Sequence, residues 1–94
     1  MAAFVIRVEL HSAKSGDYDS LHGAMEQEGF ARTIKAGDGT IYDLPNAEYV
    51  YQGNKTQADV YALADTAAAR TQRTFWLLVT ESNGSTFKLK RHQS

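Results

Sequence analysis

A chain of 94 residues with a formal net charge of −1 has room for one domain and one core. Its 43% hydrophobic and 22% charged residues match a folded globular protein and exclude disorder as the default reading. The near-neutral balance excludes a protein that grips nucleic acid by bulk charge, so any such contact has to use a local patch.

The chain has no cysteine, which removes disulfides, thiolate zinc sites and cysteine nucleophiles together. Arg7 and Glu9 interrupt the first apolar run, so "MAAFVIRVEL" does not read as a signal peptide. No stretch approaches the ~20 apolar residues that span a bilayer. The expectation is a soluble, cytoplasmic protein without membrane insertion, a DNA-binding signature or a cofactor.

Residues 3 to 11, "AFVIRVELH", predict the first strand. Phe4, Ile6, Val8 and Leu10 form one face and Val5, Arg7, Glu9 and His11 the other. The segment "SAKSGD" is a turn with Asp17 as the expected helix N-cap. In "YDSLHGAMEQEGF", Tyr18, Leu21, Ala24 and Met25 share an apolar helical face, with Asp19, Glu26 and Gln27 opposite. Gly29 fits a left-handed C-cap, after which Phe30 re-enters the core.

Asp38-Gly39 predicts a hairpin turn, with Thr33 and Ile34 before it and Thr40, Ile41 and Tyr42 after it as strand residues. Pro45 breaks the second arm, and strand character resumes at Tyr49, Val50 and Tyr51. "NKTQADVYALADTAAARTQ" predicts a second helix capped by Asn54 or Thr56, with a stripe of Val60, Leu63, Ala64, Ala67 and Ala68. "RTFWLLVTE" is the last strand. Residues 83–94 form a basic tail that either adds a short strand or frays.

The expected order is β-α-β-β-α-β, a single α+β domain over residues 1–94 of the ferredoxin-like or split-βαβ class. Right-handed crossovers place both helices on one face of a four-stranded antiparallel sheet. Arg7, Glu9 and His11 then lie on the open face. The last strand is apolar on both sides, with Phe75, Leu77 and Val79 on one and Trp76 and Leu78 on the other. A half-solvated sheet should alternate. Trp76 and Leu78 are therefore expected to meet either a second copy, giving a homodimer, or the folded-back tail.

An arginine, a carboxylate and a histidine on one strand face suit phosphate stabilisation, orientation and proton transfer, making Arg7, Glu9 and His11 the candidate catalytic set. The competing reading is an Arg–Glu pair on a wet sheet face. Asp43 and Glu48 flank Pro45 and join Glu9 if the strands pair suitably. His22 reads as a half-buried structural histidine and His92 as solvated. "GDGT" lacks the ligands of a calcium loop and the Gly-Lys-Ser/Thr of a P-loop, and no metal signature is present. Outward-facing members of Tyr42, Tyr49, Tyr51 and Trp76, next to Arg7 and Arg32, would form a platform for unstacked bases. Arg32, Tyr49 and Tyr51 are thus the candidate RNA-binding residues.

"FVIRVELHS", "GFARTIKAGDGTIYDLPNAEYVY", the capped second helix and "FWLLVTE" resemble the small family of the antitoxin endoribonuclease GhoS. The resemblance covers residues 4 to 81 and rests on element order and hydrophobic pattern. It implies a ferredoxin-like fold, similar in architecture to the CRISPR-adaptation nucleases. It also implies an antitoxin that cleaves the messenger RNA of a small membrane-active toxin. Glu9 falls where that family tends to place an acidic residue, whereas Arg7 and His11 look particular to this chain. A noncatalytic dimeric module that binds RNA or protein is the alternative, and a ligand-sensing domain is the third.

Overall fold

The computed structural model describes residues 2–82 and residue 92. Strand β1 (Ala2–Leu10) is followed by helix α1 (Asp17–Gln27), strands β2 (Thr33–Lys35), β3 (Ile41–Asp43) and β4 (Glu48–Gly53), helix α2 (Gln57–Ala69) and strand β5 (Phe75–Ser82). The class is α+β with antiparallel sheets.

β1 is the centre of a three-stranded sheet of order β4-β1-β5. Phe4, Ile6, Val8 and Leu10 are buried on one side, as the alternation requires. They meet Leu21, Ala24 and Met25 of α1 and Val60, Ala64, Ala67 and Ala68 of α2 in one core cluster. Alanines at the α2 contact let its backbone lie close to the sheet. Deleting a buried large aliphatic such as Ile6 to alanine removes about 2–5 kcal/mol from such a core.

The helix boundaries follow local chemistry. α1 begins after Gly16, whose φ of 90° is left-handed, and not with Asp17 as its cap. The Asp17 carboxylate turns instead to the Lys14 amide at 2.6 Å and the Arg73 Nε at 3.0 Å. The Lys14 hydrogen bond holds its pKa below the ordinary carboxylate value against the opposing effect of desolvation, with further help from the Arg73 charge. At the other end, Gly29 adopts φ 93°. The Phe30 and Gly29 amides donate back to the Met25 and Glu26 carbonyls, the Schellman pattern. α2 is capped by Thr56, which exchanges hydrogen bonds with Asp59 in a capping box.

The single four-stranded sheet is not what forms. β2 and β3 make a separate two-stranded hairpin. The Ala36 amide still donates to the Thr40 carbonyl, which leaves a loop of residues 37–39, with Gly39 alone in the left-handed region at φ 88° and its amide donating to the Ala36 carbonyl. That is a turn followed by a left-handed residue, not the two-residue turn that Asp38-Gly39 suggests. Ala31 pairs with Val50 on the outer edge of β4 through two hydrogen bonds of 2.9 Å. One residue later the Arg32 carbonyl accepts from Leu44, so β3 takes over as partner and the ladder along β4 stops. The break at Pro45 does divide the third stretch into two pieces, β3 and β4. The expected strand or fraying of residues 83–94 lies outside the described residues, apart from His92. Its amide donates to the Ile41 carbonyl and its Nδ1 lies 2.7 Å from Asp43.

His22 is buried, with Nδ1 2.6 Å from the hydroxyl of the fully buried Tyr49. A neutral ring protonated on Nε2 accepts that hydroxyl. Burial, helped by the Arg32 charge, pushes the His22 pKa below its ordinary 6.5, while Asp19 and Glu26 oppose the shift. Burial likewise raises the Tyr49 phenol pKa. Because the folded-state His22 pKa is depressed, the unfolded chain binds the proton first. The stabilisation is complete above pH 6.5 and is lost as pH falls from there to the folded-state pKa. Thermal melts are expected to drop over this window in wild type and to flatten in His22→Gln; an unchanged slope contradicts the assignment. Tyr49→Phe leaves Nδ1 buried without its donor and is expected to lose about 1–3 kcal/mol in urea unfolding.

Candidate nucleic-acid interface

The face of the sheet away from the helices is set by the register of β1. Val5 lies opposite Val50 on β4 and Thr80 on β5; Arg7 lies opposite Glu48 and Leu78; Glu9 lies opposite Trp76. Strand periodicity therefore carries Arg7 and Glu9 onto the same surface as Trp76 and Leu78. Those two are 68% and 61% exposed, among the largest uncovered apolar side chains of the described chain.

Arg7 divides its guanidinium between two carboxylates. Nη1 donates to Glu48 Oε1 at 3.1 Å and Nη2 to Glu9 Oε2 at 3.2 Å. All three side chains retain solvent contact, so each pair contributes about 1 kcal/mol or less. The electrostatic consequence is larger than the energetic one. Two carboxylates around one arginine leave this part of the face with net negative charge, and a phosphate has to displace one of them.

His11 continues the same surface past the end of β1. Its amide donates to the Thr74 carbonyl at 2.8 Å, which holds the backbone beside the start of β5. The imidazole meets the Trp76 ring edge-on, with centroids 4.9 Å apart and planes at 69°. Its Nε2 is buried with no hydrogen-bond partner. Because Nε2 is covered, an arriving group can exchange a proton with the ring only through Nδ1 or after the ring turns.

The fold thus brings together Arg7, Glu9, His11, Trp76 and Leu78. It does not bring Arg32, Tyr49 and Tyr51 to them. Tyr49 and Tyr51 pair with Ile6 and Phe4 in register and so share the core face. Tyr49 is fully buried, and Tyr51 packs against the rings of Phe4 and Phe30. Arg32 lies on that side too, where its charge acts on His22 and Tyr49. The aromatic platform expected around Arg7 is reduced to Trp76, because parity along β4 turns both tyrosines inward. Asp43 stands with His92 rather than with Glu9, so the three-carboxylate cluster does not form. Glu48 is the partner that the sequence left open, since only the β1–β4 register places it opposite Arg7.

Among the described residues, no group of three or more His, Asp or Glu side chains is gathered to hold a metal ion. No helix of the described chain is long and apolar enough to cross a membrane. No protein-family model matches the chain, and no curated protein matches it.

The chain has one tryptophan, so its emission reports on this surface alone. Removing the adjacent imidazole in His11→Gln is expected to change the Trp76 emission at neutral pH. An emission spectrum identical to wild type contradicts the ring contact.

Proposed function

We propose that this chain is an RNA-acting protein of the GhoS-like kind, with single-stranded RNA laid across the open sheet face. The observation that carries this reading is the exposed Trp76 with His11 against its edge and Glu9 beside it in register. An unstacked base lies on an exposed indole in a sequence-tolerant way, contributing about 1–3 kcal/mol. Leu78 extends the apolar strip one step along β5.

The proposed arrangement is ferredoxin-like. Counting the Ala31–Val50 bridge as the start of the second strand gives the order β5-β1-β4 followed by that segment. This is the strand order of a split βαβ fold whose fourth strand has peeled away.

Cleavage follows from the groups at hand. The RNA 2′-oxygen bonds to the adjacent phosphorus and the bond from phosphorus to the 5′-oxygen breaks, leaving a 2′,3′-cyclic phosphate and a 5′-hydroxyl. His11 accepts the 2′-hydroxyl proton or protonates the leaving oxygen. Glu9 orients its neighbours. Arg7 stabilises the phosphorane charge once the phosphate has replaced one of its carboxylates. An antitoxin role, directed at a toxin message, is what the family resemblance adds.

A second reading, a noncatalytic dimeric module, is favoured by the capture of Arg7 between Glu9 and Glu48. Size weighs against a second copy as the sole occupant. Three strands of about eight residues present a face on the order of 350 Å², whereas a stable interface buries roughly 800 Å² on each partner.

Purified protein is incubated with labelled single-stranded and structured RNA pools, with and without a chelator. His11→Ala is expected to slow cleavage by about 10²-fold or more. Trp76→Ala is expected to weaken binding about tenfold or more. Glu48→Gln frees part of Arg7 and is expected to tighten binding at low salt. Binding that needs Trp76 without any cleavage reduces the function to the noncatalytic reading. Absence of binding ends the RNA reading.

A further inference from the structure

On the helix side of the sheet, a cavity of about 820 Å³ opens between the last turn of α1 and the β2–β3 hairpin. Its volume lies in the range of small-ligand sites. Phe30 and Leu44 give it apolar wall, Arg32 and Asn46 give donors, and Glu26 and Asp43 give carboxylates. It is lined by none of the residues of the Trp76 surface.

Arg32 is the feature that asks for an explanation. Of the arginines among the described residues, Arg7, Arg70 and Arg73 each hold a carboxylate and Arg32 holds none. Its Nε is buried without a hydrogen-bond partner. The side chain as a whole is only half-buried, but an N–H buried without an acceptor costs free energy that an arriving anion would restore. Neither lining carboxylate does so, although both border the same space.

We propose that this cavity binds a small zwitterion, a molecule with a carboxylate at one end and an ammonium at the other. Arg32 receives the carboxylate, for which its planar fork is suited. Glu26 faces the ammonium, with Asp43 joining it once its contact to His92, which also lines the cavity, is released; Phe30 and Leu44 pack the carbon chain between them. The balance of charge sets the selectivity. Arg32 set against Glu26 and the His92-paired Asp43 disfavours a dianion such as a phosphate monoester, and a bare cation leaves Arg32 unsatisfied. A free amino acid or an ω-amino acid meets both ends.

The test follows amide shifts of the isotope-labelled full chain during titration with glycine, β-alanine and 4-aminobutyrate. Acetate, methylamine and inorganic phosphate serve as the separated halves and the dianion. At least one zwitterion is expected to give saturable shifts at Phe30, Arg32 and Leu44 while Val5 and Glu9 stay still. Acetate and methylamine are expected to bind about tenfold or more weaker, as is the zwitterion to Arg32→Gln. No saturable shift up to about 10 mM of any zwitterion overturns the proposal. So does acetate or phosphate binding as tightly as the zwitterion. The comparison of whole ligand with its halves uses the wild-type chain, so it stands even if Arg32→Gln fails to fold. RNA binding on the other face is read separately, through Trp76.

Discussion

Phe4, Ile6, Val8 and Leu10 point into the core while Arg7 and Glu9 point away from it, and β1 is hydrogen-bonded along both edges. This alternation on the central strand fixes everything else. It gives both helices a surface to cover, and it sets the parity of β4 and β5 through their pairing. A slip of one residue would bury Arg7 and Glu9 and expose the core. The same constraint divides the molecule chemically. One side carries His22, Tyr49 and Arg32 among packed side chains; the other carries the exposed Trp76, the half-buried His11 against it, and the solvated Arg7 cluster.

The open face is an unusual surface for a protein proposed to act on RNA, because its central cation is already engaged. Affinity on such a surface comes from stacking more than from counterion release, so weak dependence on salt is its physical signature. The shared guanidinium also gives the site a threshold. A phosphate has to compete with Glu9 or Glu48, so binding that does not also engage Trp76 gains little. On the proposed reading, unstacked RNA is preferred because a base inside a duplex cannot reach the indole.

Much of this was legible in the residues. The alternation of "AFVIRVELH", the capped alanine-rich helix and Gly29 are strong local signals, and each matches the elements observed. Periodicity alone also placed Arg7 and Glu9 together, and Trp76 with Leu78 on the outer side of β5. What failed needed register or three-dimensional competition. Tyr49 and Tyr51 read as available aromatics until the pairing Ile6↔Tyr49 turned them inward. The hairpin around Asp38-Gly39 read as part of one four-stranded sheet until the Arg32 carbonyl took Leu44 as its donor. Arg32 had no local pattern to distinguish it from a surface cation. Its isolation is visible only once the positions of the carboxylates are known.

The separation of the two faces is tested most directly by titrating the isotope-labelled chain with a short single-stranded RNA and mapping which resonances move. The account predicts shifts at the Trp76 indole and at the amides of Arg7, Glu9 and Leu78, with Phe30, Arg32 and Tyr49 unmoved. Shifts concentrated at Phe30 and Arg32, with the indole unchanged, would contradict it and transfer RNA recognition to the other side of the sheet.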